Sequence, residues 1–316
     1  MIDLIKKKYY FFALSIIIVL LGVGAYFYNG GFNLDIQFQG GTVIEMQMPN
    51  DKFDLQKVDD MLTDILHKNV TTQKSYALNA VKNERVDLLI INVASDETLT
   101  VEEKNEVVKA VREEFKLSDD SQMTVRNIHP SIGRELLKRG LKGVIWMSIL
   151  IAIYVAFRFK VMSWQSGVFA VVGLIHDVLI MLAAYLIFKI PVNESFIAAI
   201  LTIIGYSMND TVIIYDRIRE NNVLLRKMSV SELANKSILQ TIGRTINTTV
   251  TVLICLVTIY VFAIINNIPS IKEFSLPLII GTISGTYSSI FISTPLWVMS
   301  KERELKKRIA ARKANA

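Results

Sequence analysis

The sequence is poor in the residues that build disulfide scaffolds, thiolate metal sites and soluble surfaces. Of its 316 residues, 1 is cysteine, 3 are histidine and 20% are charged, whereas 52% are hydrophobic. The single cysteine, Cys255, excludes an intramolecular disulfide and a metal site built on several thiolates. The low charge content and the mean hydropathy of +0.39 exclude an ordinary soluble domain and are typical of a protein that crosses a membrane several times. We expect no metal and no cofactor.

Apolar runs long enough to cross a bilayer, which takes about 20 helical residues, occur six times. They lie near 10–28, 141–158, 166–188, 195–215, 245–265 and 275–299. Lysine and arginine concentrate before the first run and after the second, fourth and sixth, which predicts that both termini are cytoplasmic. The first run has no small-residue cleavage site after it, so we interpret it as an uncleaved anchor.

The fold class predicted is a polytopic α-helical membrane protein with one extracytoplasmic α+β domain. Residues 1–29 form the cytoplasmic N-terminus and first span, and 30–139 the outside domain. Residues 140–300 form a five-helix bundle with a cytoplasmic loop at 217–240, and 301–316 a basic cytoplasmic tail. The net charge of +6 lies in the cytoplasmic flanks, where topology and anionic lipid headgroups account for it, so no nucleic-acid partner is predicted.

The outside domain has the pattern β-α-β-β-α-β, which predicts a ferredoxin-like unit. Strands are expected at 34–48, interrupted by Gly40-Gly41, and at 74–81, 86–93 and 122–128. Helices are expected at 54–68 and at 100–116, the second with a capping box from Thr100 and Glu103. No nucleophile lies beside a base, and His67 and His129 are isolated, so we interpret the domain as a binding or mechanical module.

Asp210 falls inside the fourth apolar run, where a carboxylate costs about 2.5–3.5 kcal/mol on insertion scales. Such a residue is a functional-site candidate by default. On a helical wheel of the fifth run, polar residues fall within about 60° of Arg244: Gln240, Thr241, Asn247, Thr248, Thr251, Cys255 and Thr258. The fourth and fifth runs are antiparallel neighbours, and Asp210 and Arg244 lie at similar depth, which predicts a contact between them, direct or through water.

Asp177 in the third run, beside His176, completes a predicted set of opposed intramembrane charges with Asp210 and Arg244. A carboxylate in this setting can take up and release a proton, whereas arginine remains charged and acts as the electrostatic partner. The alternative is a set of static pairs that hold the bundle together. The supporting polar residues in these runs are Tyr206, Ser207, Asn209, Thr211, Asn247, Thr248 and Thr251.

Two further patterns concern packing and the membrane interface. Gly281, Gly285 and Ser288-Ser289 form a small-xxx-small face in the last run, which predicts close helix packing. An interfacial salt-bridge cluster is predicted after the fourth run, formed by Asp216, Arg217, Arg219 and Glu220. This cluster could also anchor a partner.

Four motifs resemble the SecF family of bacterial protein-export membrane proteins, which belong to the resistance-nodulation-division superfamily. The longest runs from Gly205-Tyr206-Ser207-x-Asn209-Asp210-Thr211 into Asp216-Arg217-Ile218-Arg219-Glu220-Asn221. The others are His176-Asp177, Arg244-Thr245 with Thr248-Thr249, and Phe38-x-Gly40-Gly41. The resemblance covers the whole chain. The family's usual strand motif is Gly-x-Asp-Phe-x-Gly-Gly, and this chain has Gln37 at the acid's position, with Asp35 two residues earlier.

The resemblance implies a function in the bacterial inner membrane without enzymatic activity. It implies pairing with SecD into a twelve-span assembly, docking on the SecYEG channel, often with YajC, and contact with the translocating preprotein and membrane lipids. It further implies use of the proton-motive force in late steps of preprotein translocation, with Asp210 as the proton-responsive carboxylate and Arg244 as its partner.

Three other functions remain open at this stage. An ion-driven exporter of small molecules or lipids would use similar intramembrane acids, although such proteins usually have two six-span halves and larger outside loops. A structural scaffold of the translocon would need none of the buried charges. An intramembrane aspartyl protease matches only Tyr215-Asp216, without a Gly-x-Gly-Asp in a later run.

Overall fold

A computed structural model describes residues 3–49, 53–78, 85–94, 99–117, 121–158, 165–225 and 227–314. Its helices and strands in chain order are α1 Lys8–Tyr28, α2 Ile36–Gln39, β1 Gly41–Met48, α3 Leu55–Leu66, β2 Asn69–Leu78, β3 Arg85–Ala94, α4 Val101–Phe115, β4 Met123–Ile128, α5 Pro130–Arg158, α6 Gln165–Ile187, α7 Glu194–Leu224, α8 Val230–Ile265, α9 Pro269–Ser288 and α10 Thr294–Ala314. A π-helical turn at Ser289–Ser293 joins α9 to α10. The described residues contain six helical segments that are long and apolar enough to cross a membrane, as predicted.

Residues 41–128 contain an α+β unit built on an antiparallel sheet. The strand order is β2-β3-β1-β4, and the elements follow the predicted β-α-β-β-α-β order. Alternate strand residues and the apolar stripes of α3 and α4 pack into one core, which includes Ile44, Leu62, Leu89, Ile91, Val107 and Val111. Thr100 and Glu103 form the predicted capping box of α4, and Asp54 caps α3.

Two predicted strands differ from the structure. Residues 36–39 form the short helix α2 instead of a strand, because Asp35 accepts a hydrogen bond from the Gln37 N–H and caps a single helical turn. Gly40 and Gly41 follow with φ of 90° and 138°, a region favoured only by glycine. Strand β2 begins at Asn69, earlier than the predicted residue 74, and residues 79–81 lie outside the described residues.

The helices also extend beyond the predicted spans. The expected cytoplasmic loop at 217–240 is wrong, since α7 continues to Leu224 and α8 begins at Val230. Ser229 and Glu232 form a capping box that starts α8, a signal that apolar content alone does not reveal. Helix α5 begins at Pro130, so one helix runs from the end of β4 into the bundle. The predicted tail is largely helical as part of α10.

Helix α2 joins the α+β unit to the helical bundle formed by α1 and α5–α10. Phe38 is 1% exposed and belongs to the bundle core. A Cβ on Gly133, near the start of α5, would lie 2.5 Å from the carbonyl oxygen of Gln37. On the other side, the Asp35 N–H donates to the Val192 carbonyl at 2.9 Å. Helix α2 is therefore held between the start of α5 and the loop that precedes α7.

Helices α7 and α9 pack closely at the centre of the bundle. A Cβ on Gly281 would lie 2.5 Å from Ile203, and one on Gly285 would lie 2.8 Å from Ser207. The predicted small-xxx-small face is thus confirmed as the surface that lets α9 approach α7. Helices α1, α5 and α8 lie at the periphery and carry most of the exposed apolar residues.

Candidate functional site

Asp210 lies on the buried side of α7 and is 1% exposed. Its Oδ2 accepts a hydrogen bond of 3.1 Å from the Thr286 hydroxyl on α9. That hydroxyl is 2.7 Å from the Thr249 hydroxyl on α8. The second carboxylate oxygen, Oδ1, is buried and accepts no hydrogen bond from the residues that the structure describes. Asp210 therefore connects three helices through hydroxyl groups and keeps one free acceptor.

Asp177 on α6 is also 1% exposed, but its surroundings differ from those of Asp210. The hydroxyls of Ser207, Ser284 and Ser288 donate to it at 2.7, 2.7 and 2.9 Å. His176 Nδ1 lies 3.3 Å from its Oδ1. A carboxylate accepts about four hydrogen bonds, so the acceptor capacity of Asp177 is filled by three helices.

The two buried carboxylates occupy separate networks that meet at α7. Ser207 donates to Asp177, and its carbonyl accepts from Ser289 at 3.3 Å. The Ser289 hydroxyl is 2.8 Å from that of Thr211, the residue after Asp210. Across the described part of the chain, no hydrogen bond joins Asp177 directly to Asp210, so a change at one carboxylate reaches the other through α7, the π-helical turn and α9, which donates to both.

A direct contact between Asp210 and Arg244 is absent from the described residues. Arg244 is exposed, and the α8 residues that face α7 and α9 are Thr245 and Thr249, which are 1% and 7% exposed. The side chains of adjacent helical residues point in directions about 100° apart. Because Thr245 faces the bundle, its neighbour Arg244 points outward. A helical wheel centred on the charged residue misses Thr249, whose hydroxyl reaches Thr286 at the site.

Most of the predicted polar stripe faces away from the bundle, but Thr241 is buried. On α8 its outward members are Arg244, Asn247, Thr251, Cys255 and Thr258, while Thr248 is half-buried. On α7, Thr202, Gly205 and Asn209 are exposed as well. We call these exposed residues of α7 and α8 the outward polar face. Of the supporting residues, Ser207 and Thr211 are buried, Tyr206 is half-buried, and Asn209 belongs to the outward polar face.

The interfacial salt-bridge cluster after Asp210 is confirmed and is larger than predicted. Asp216 pairs with Arg219 at 3.0 Å and with Arg158 of α5 at 3.1 Å. Arg217 pairs with Glu220 at 2.5 Å, and its Nε donates to Gln240 of α8 at 2.7 Å. Arg158 and Gln240 were not assigned to the cluster from sequence, because their proximity depends on how α5, α7 and α8 pack. The cluster ties these three helices together.

The strand motif lies at the junction between the α+β unit and the bundle. Gln37 Oε1 accepts a hydrogen bond of 3.2 Å from the Glu194 N–H at the start of α7. Asp35 is half-buried, and this burial raises the pKa of its carboxyl above the usual range, with the nearby Glu194 acting in the same direction. Phe38, Gly40 and Gly41 thus shape the junction, and none of them contacts Asp210.

Similarity to known proteins agrees with these motifs. Residues 107–303 match the family described as protein export membrane protein SecD/SecF, C-terminal. Protein translocase subunit SecF of Alicyclobacillus acidocaldarius is 34% identical over 99% of this chain and 97% of its own length. Protein translocase subunit SecDF of Brucella abortus is 37% identical over 87% of this chain, which spans 34% of that longer protein.

A solved structure is similar along nearly the whole chain. The crystal structure of SecDF, a translocon-associated membrane protein from Thermus thermophilus, superposes with a TM-score of 0.76 at 29% identity. It covers 95% of this chain, which spans 39% of the SecDF chain. The six helical segments and these relatives establish a multi-pass membrane protein, and the chain belongs to the SecD/SecF family of protein-export membrane proteins.

Proposed function

We propose that this chain is an auxiliary subunit of the Sec protein-export machinery that uses the proton-motive force, together with SecD, in late steps of preprotein translocation through SecYEG. In this proposal the chain lies in the bacterial inner membrane with both termini in the cytoplasm. The α+β unit is a ferredoxin-like domain on the outer side, where it meets the translocating preprotein. YajC is a further partner, and the chain is not an enzyme.

The observation that carries the proposal is the free oxygen of Asp210. Burying an ionised carboxylate without a cation costs free energy. The carboxylate avoids this free-energy cost when it takes up a proton and becomes neutral. The Oδ1 atom accepts no hydrogen bond from the described residues, so it is the atom at which a proton would add. Asp177, with four donors around it, has no comparable position. Asp210 is therefore the proton-responsive carboxylate, and Asp177 supports the fold around it.

The outward polar face supports a partner within the membrane. Arg244 is exposed on α8 next to the apolar run 245–265, and an arginine facing lipid there costs up to about 2.5–3.5 kcal/mol, which is the value at the bilayer centre on insertion scales. A second set of helices that carries acidic or hydroxyl groups would remove this cost. Relatives named SecDF are single chains of which this chain spans about one third, which supports SecD as the partner. In this arrangement Arg244 acts across the interface, since it does not reach Asp210 within the chain.

Protonation of Asp210 would act first on its neighbours on α8 and α9. Loss of the negative charge weakens the hydrogen bond from Thr286, which lies 3.1 Å away and leads to Thr249. One charge that crosses 100 mV is worth about 2.3 kcal/mol, which is enough to bias a two-state arrangement of packed helices about 50-fold. Helices α1 and α5 flank the α+β unit in sequence, and α2 contacts α5, so movement in the bundle can reach that unit.

The test is export of a secreted protein into vesicles that contain SecYEG, SecD and this chain, with and without an imposed proton gradient. We expect the gradient to stimulate export with the unmutated chain and to have no effect with Asp210→Asn, because asparagine keeps the size and cannot change charge. Glu194→Gln is the control, since it removes a carboxylate from an exposed position of the same helix outside the salt-bridge cluster. Assembly with SecD is checked by co-purification in each case.

Equal stimulation by Asp210→Asn and the unmutated chain would contradict the proposal and would favour a scaffold. The separate networks of Asp177 and Asp210 argue against an aspartyl protease, in which two carboxylates share one proton. Asp216, the residue that resembles a protease motif, is held by Arg158 and Arg219. Gradient-dependent movement of a small molecule or lipid without export would instead indicate a superfamily exporter.

A further inference from the structure

His176 occupies a position between Asp177 and the first helix. Its Nδ1 lies 3.3 Å from Asp177 Oδ1, and its Nε2 lies 2.9 Å from the Ser15 hydroxyl on α1. The Ser15 hydroxyl is 3.4 Å from the phenol of Tyr287 on α9. That phenol donates to the Phe11 carbonyl of α1 at 2.7 Å. A continuous chain of polar groups therefore runs from α6 through α1 to α9 and back to α1.

The direction of each hydrogen bond in this chain depends on the protonation of His176. A carbonyl only accepts, so the Tyr287 hydrogen is committed to Phe11, and Tyr287 can only accept from Ser15. If His176 carries its proton on Nδ1 alone, Nε2 is an acceptor and takes the single hydroxyl hydrogen of Ser15. No hydrogen then remains between Ser15 and Tyr287. The distances of 2.9 Å to Nε2 and 3.4 Å to Tyr287 fit this neutral state.

A second proton on His176 reverses the Ser15 hydroxyl. Nε2 then carries a hydrogen and donates to the Ser15 oxygen, and the Ser15 hydrogen is released toward Tyr287. Every group in the chain from His176 to the Phe11 carbonyl then donates to the next one. The same proton places a positive charge beside Asp177, and within the described residues His176 is the only group that can become cationic within 4 Å of that carboxylate. Buried charges are tolerated when they are paired and hydrogen-bonded.

Few charged or titratable groups face the imidazole of His176 within the described residues. Asp177 is the charged group that faces it from its own helix, and Tyr287 faces it from α9, with ring centroids 5.8 Å apart and planes inclined by 21°. From α1 it is faced by Ser15, which is 6% exposed. His176 itself is 9% exposed.

We propose that His176 is a second proton-accepting group of this protein, and that the Ser15 hydroxyl passes its protonation state to α1. The proton adds to Nε2, no covalent bond other than N–H forms, and the Ser15 hydrogen turns from His176 to Tyr287. Protonation thereby adds a second hydrogen bond between α1 and α9, from Ser15 to Tyr287, beside the one from Tyr287 to Phe11. The polypeptide continues from α1 to Asp35 and α2 and then into the α+β unit. The added hydrogen bond therefore acts on α1, the helix that precedes this unit. The consequence for export rests on the proposed function.

The first test is nitrogen NMR of the full chain in lipid nanodiscs with labelled histidine. The chain has 3 histidines, and His67 and His129 are exposed, so they provide internal references. His176→Gln identifies the third signal. We expect neutral His176 to carry its proton on Nδ1, and both nitrogens to carry protons after the pH is lowered. Ser15→Ala should shift the Nε2 signal and leave the Nδ1 signal in place.

The proposal is overturned if His176 keeps one neutral form while His67 and His129 titrate, or if its neutral form carries the proton on Nε2. The second test measures gradient-stimulated export for Ser15→Ala, with Ser15→Thr as the variant that retains a hydroxyl. We expect the gradient stimulation of export to fall at least about fivefold in Ser15→Ala, while gradient-independent export is unchanged. Ser15→Thr should retain the gradient stimulation.

The two tests separate this proposal from the proposed function. If His176 takes up a proton and Ser15→Ala keeps full gradient-stimulated export, the proposed transmission through Ser15 is overturned. Absence of gradient stimulation in the unmutated chain contradicts the proposed function, and the NMR result still decides whether His176 is a proton acceptor.

Discussion

Single residues decide how differently the two buried carboxylates of this membrane protein are hydrogen-bonded. Asp177 and Asp210 are equally buried, yet one has three serine donors and a histidine, and the other has one threonine donor. Hydrogen bonds to the charged form stabilise it. The difference therefore lies in the neighbours that α6, α7 and α9 present to each carboxylate.

Asp35, at the junction of the α+β unit and the bundle, provides a prediction on pH dependence. Burial raises the pKa of its carboxyl in the folded chain, so folding disfavours the ionised form. The junction is then most stable below the unfolded pKa, about 3.9, and loses this stability as the pH rises through the folded pKa. We expect Asp35→Asn to stabilise α2 at pH about 7 and to have little effect at pH about 4. Asparagine is as good an N-cap as aspartate, so the hydrogen bond to Gln37 is kept.

Hydrogen-exchange protection factors for residues 36–41, which correct for the intrinsic effect of pH, measure this difference. Asp54→Asn is the matched control, because Asp54 caps α3 in the same way and is exposed. Greater protection of α2 by Asp35→Asn at low pH than at neutral pH would reverse the expected sign and contradict the assignment.

At the scale of elements, the contact between α7 and α9 places the hydroxyl groups around the carboxylates. Ser284 and Ser288 reach Asp177, and Thr286 reaches Asp210, from one helix. Gly281 and Gly285 allow this approach, because side chains at both positions would overlap α7. The small residues of α9 thus serve packing and the site at once.

Gly285→Ala tests this contact. The added methyl would lie 2.8 Å from Ser207 Cβ, and overpacking costs about 1–3 kcal/mol. It would also displace a donor of Asp177. Gly24→Ala is the control, because nothing lies within 4 Å of its Cβ position and alanine there gains up to about 1 kcal/mol of helix propensity. We expect Gly285→Ala to be less stable than Gly24→Ala by about 2 kcal/mol in thermal unfolding in detergent. Equal stability of the two variants would show that α9 can move away from α7 without loss.

At the scale of the whole molecule, the outward polar face marks the chain as one part of a larger assembly. Its residues are polar where a lone bundle would present apolar side chains to lipid. Asp210 points into the bundle and Arg244 points out of it, so the two charges predicted to pair belong to different surfaces. The chain spans 39% of the similar SecDF structure, which is consistent with a partner on this face.

Arg244→Leu should have opposite effects on the chain alone and on its complex with SecD. Alone, the variant should insert more favourably, by up to about 2.5–3.5 kcal/mol, the value for an arginine at the bilayer centre. In the complex, loss of one member of a buried charge pair should weaken association by about 2 kcal/mol or more. The exposed Cys255 lies on the same face, so its protection from a maleimide reports binding of SecD. Arg303→Leu, on the exposed side of α10, controls for the loss of one positive charge. Undiminished protection of Cys255 in Arg244→Leu would exclude this face as the interface.

The parts of this protein that were predicted correctly depend on local patterns. Apolar runs of sufficient length identified six spans, and the capping box at Thr100 and the small residues of α9 were identified by spacing alone. Alternation and helical period gave the order of elements in the α+β unit. Predictions that assumed a helix rotation or a helix end were wrong: Arg244 was expected to face the bundle, and α7 and α8 extend further toward each other, to Leu224 and from Val230, than was expected. An apolar run ends at its last apolar residue, whereas a helix ends where its backbone hydrogen bonds end. Helix ends are therefore not predicted by hydropathy.

The sequence by itself determined the membrane class, the number of spans and the presence of two intramembrane carboxylates, because these follow from composition and from the cost of burying charge. Only the tertiary structure decided which hydroxyls surround each carboxylate, that Asp210 keeps a free oxygen, and that His176 reaches Ser15 on the first helix. These features depend on how far each helix is rotated and how closely it approaches its neighbours. That rotation is set by the packing of side chains far apart in sequence, such as Gly285 against Ser207.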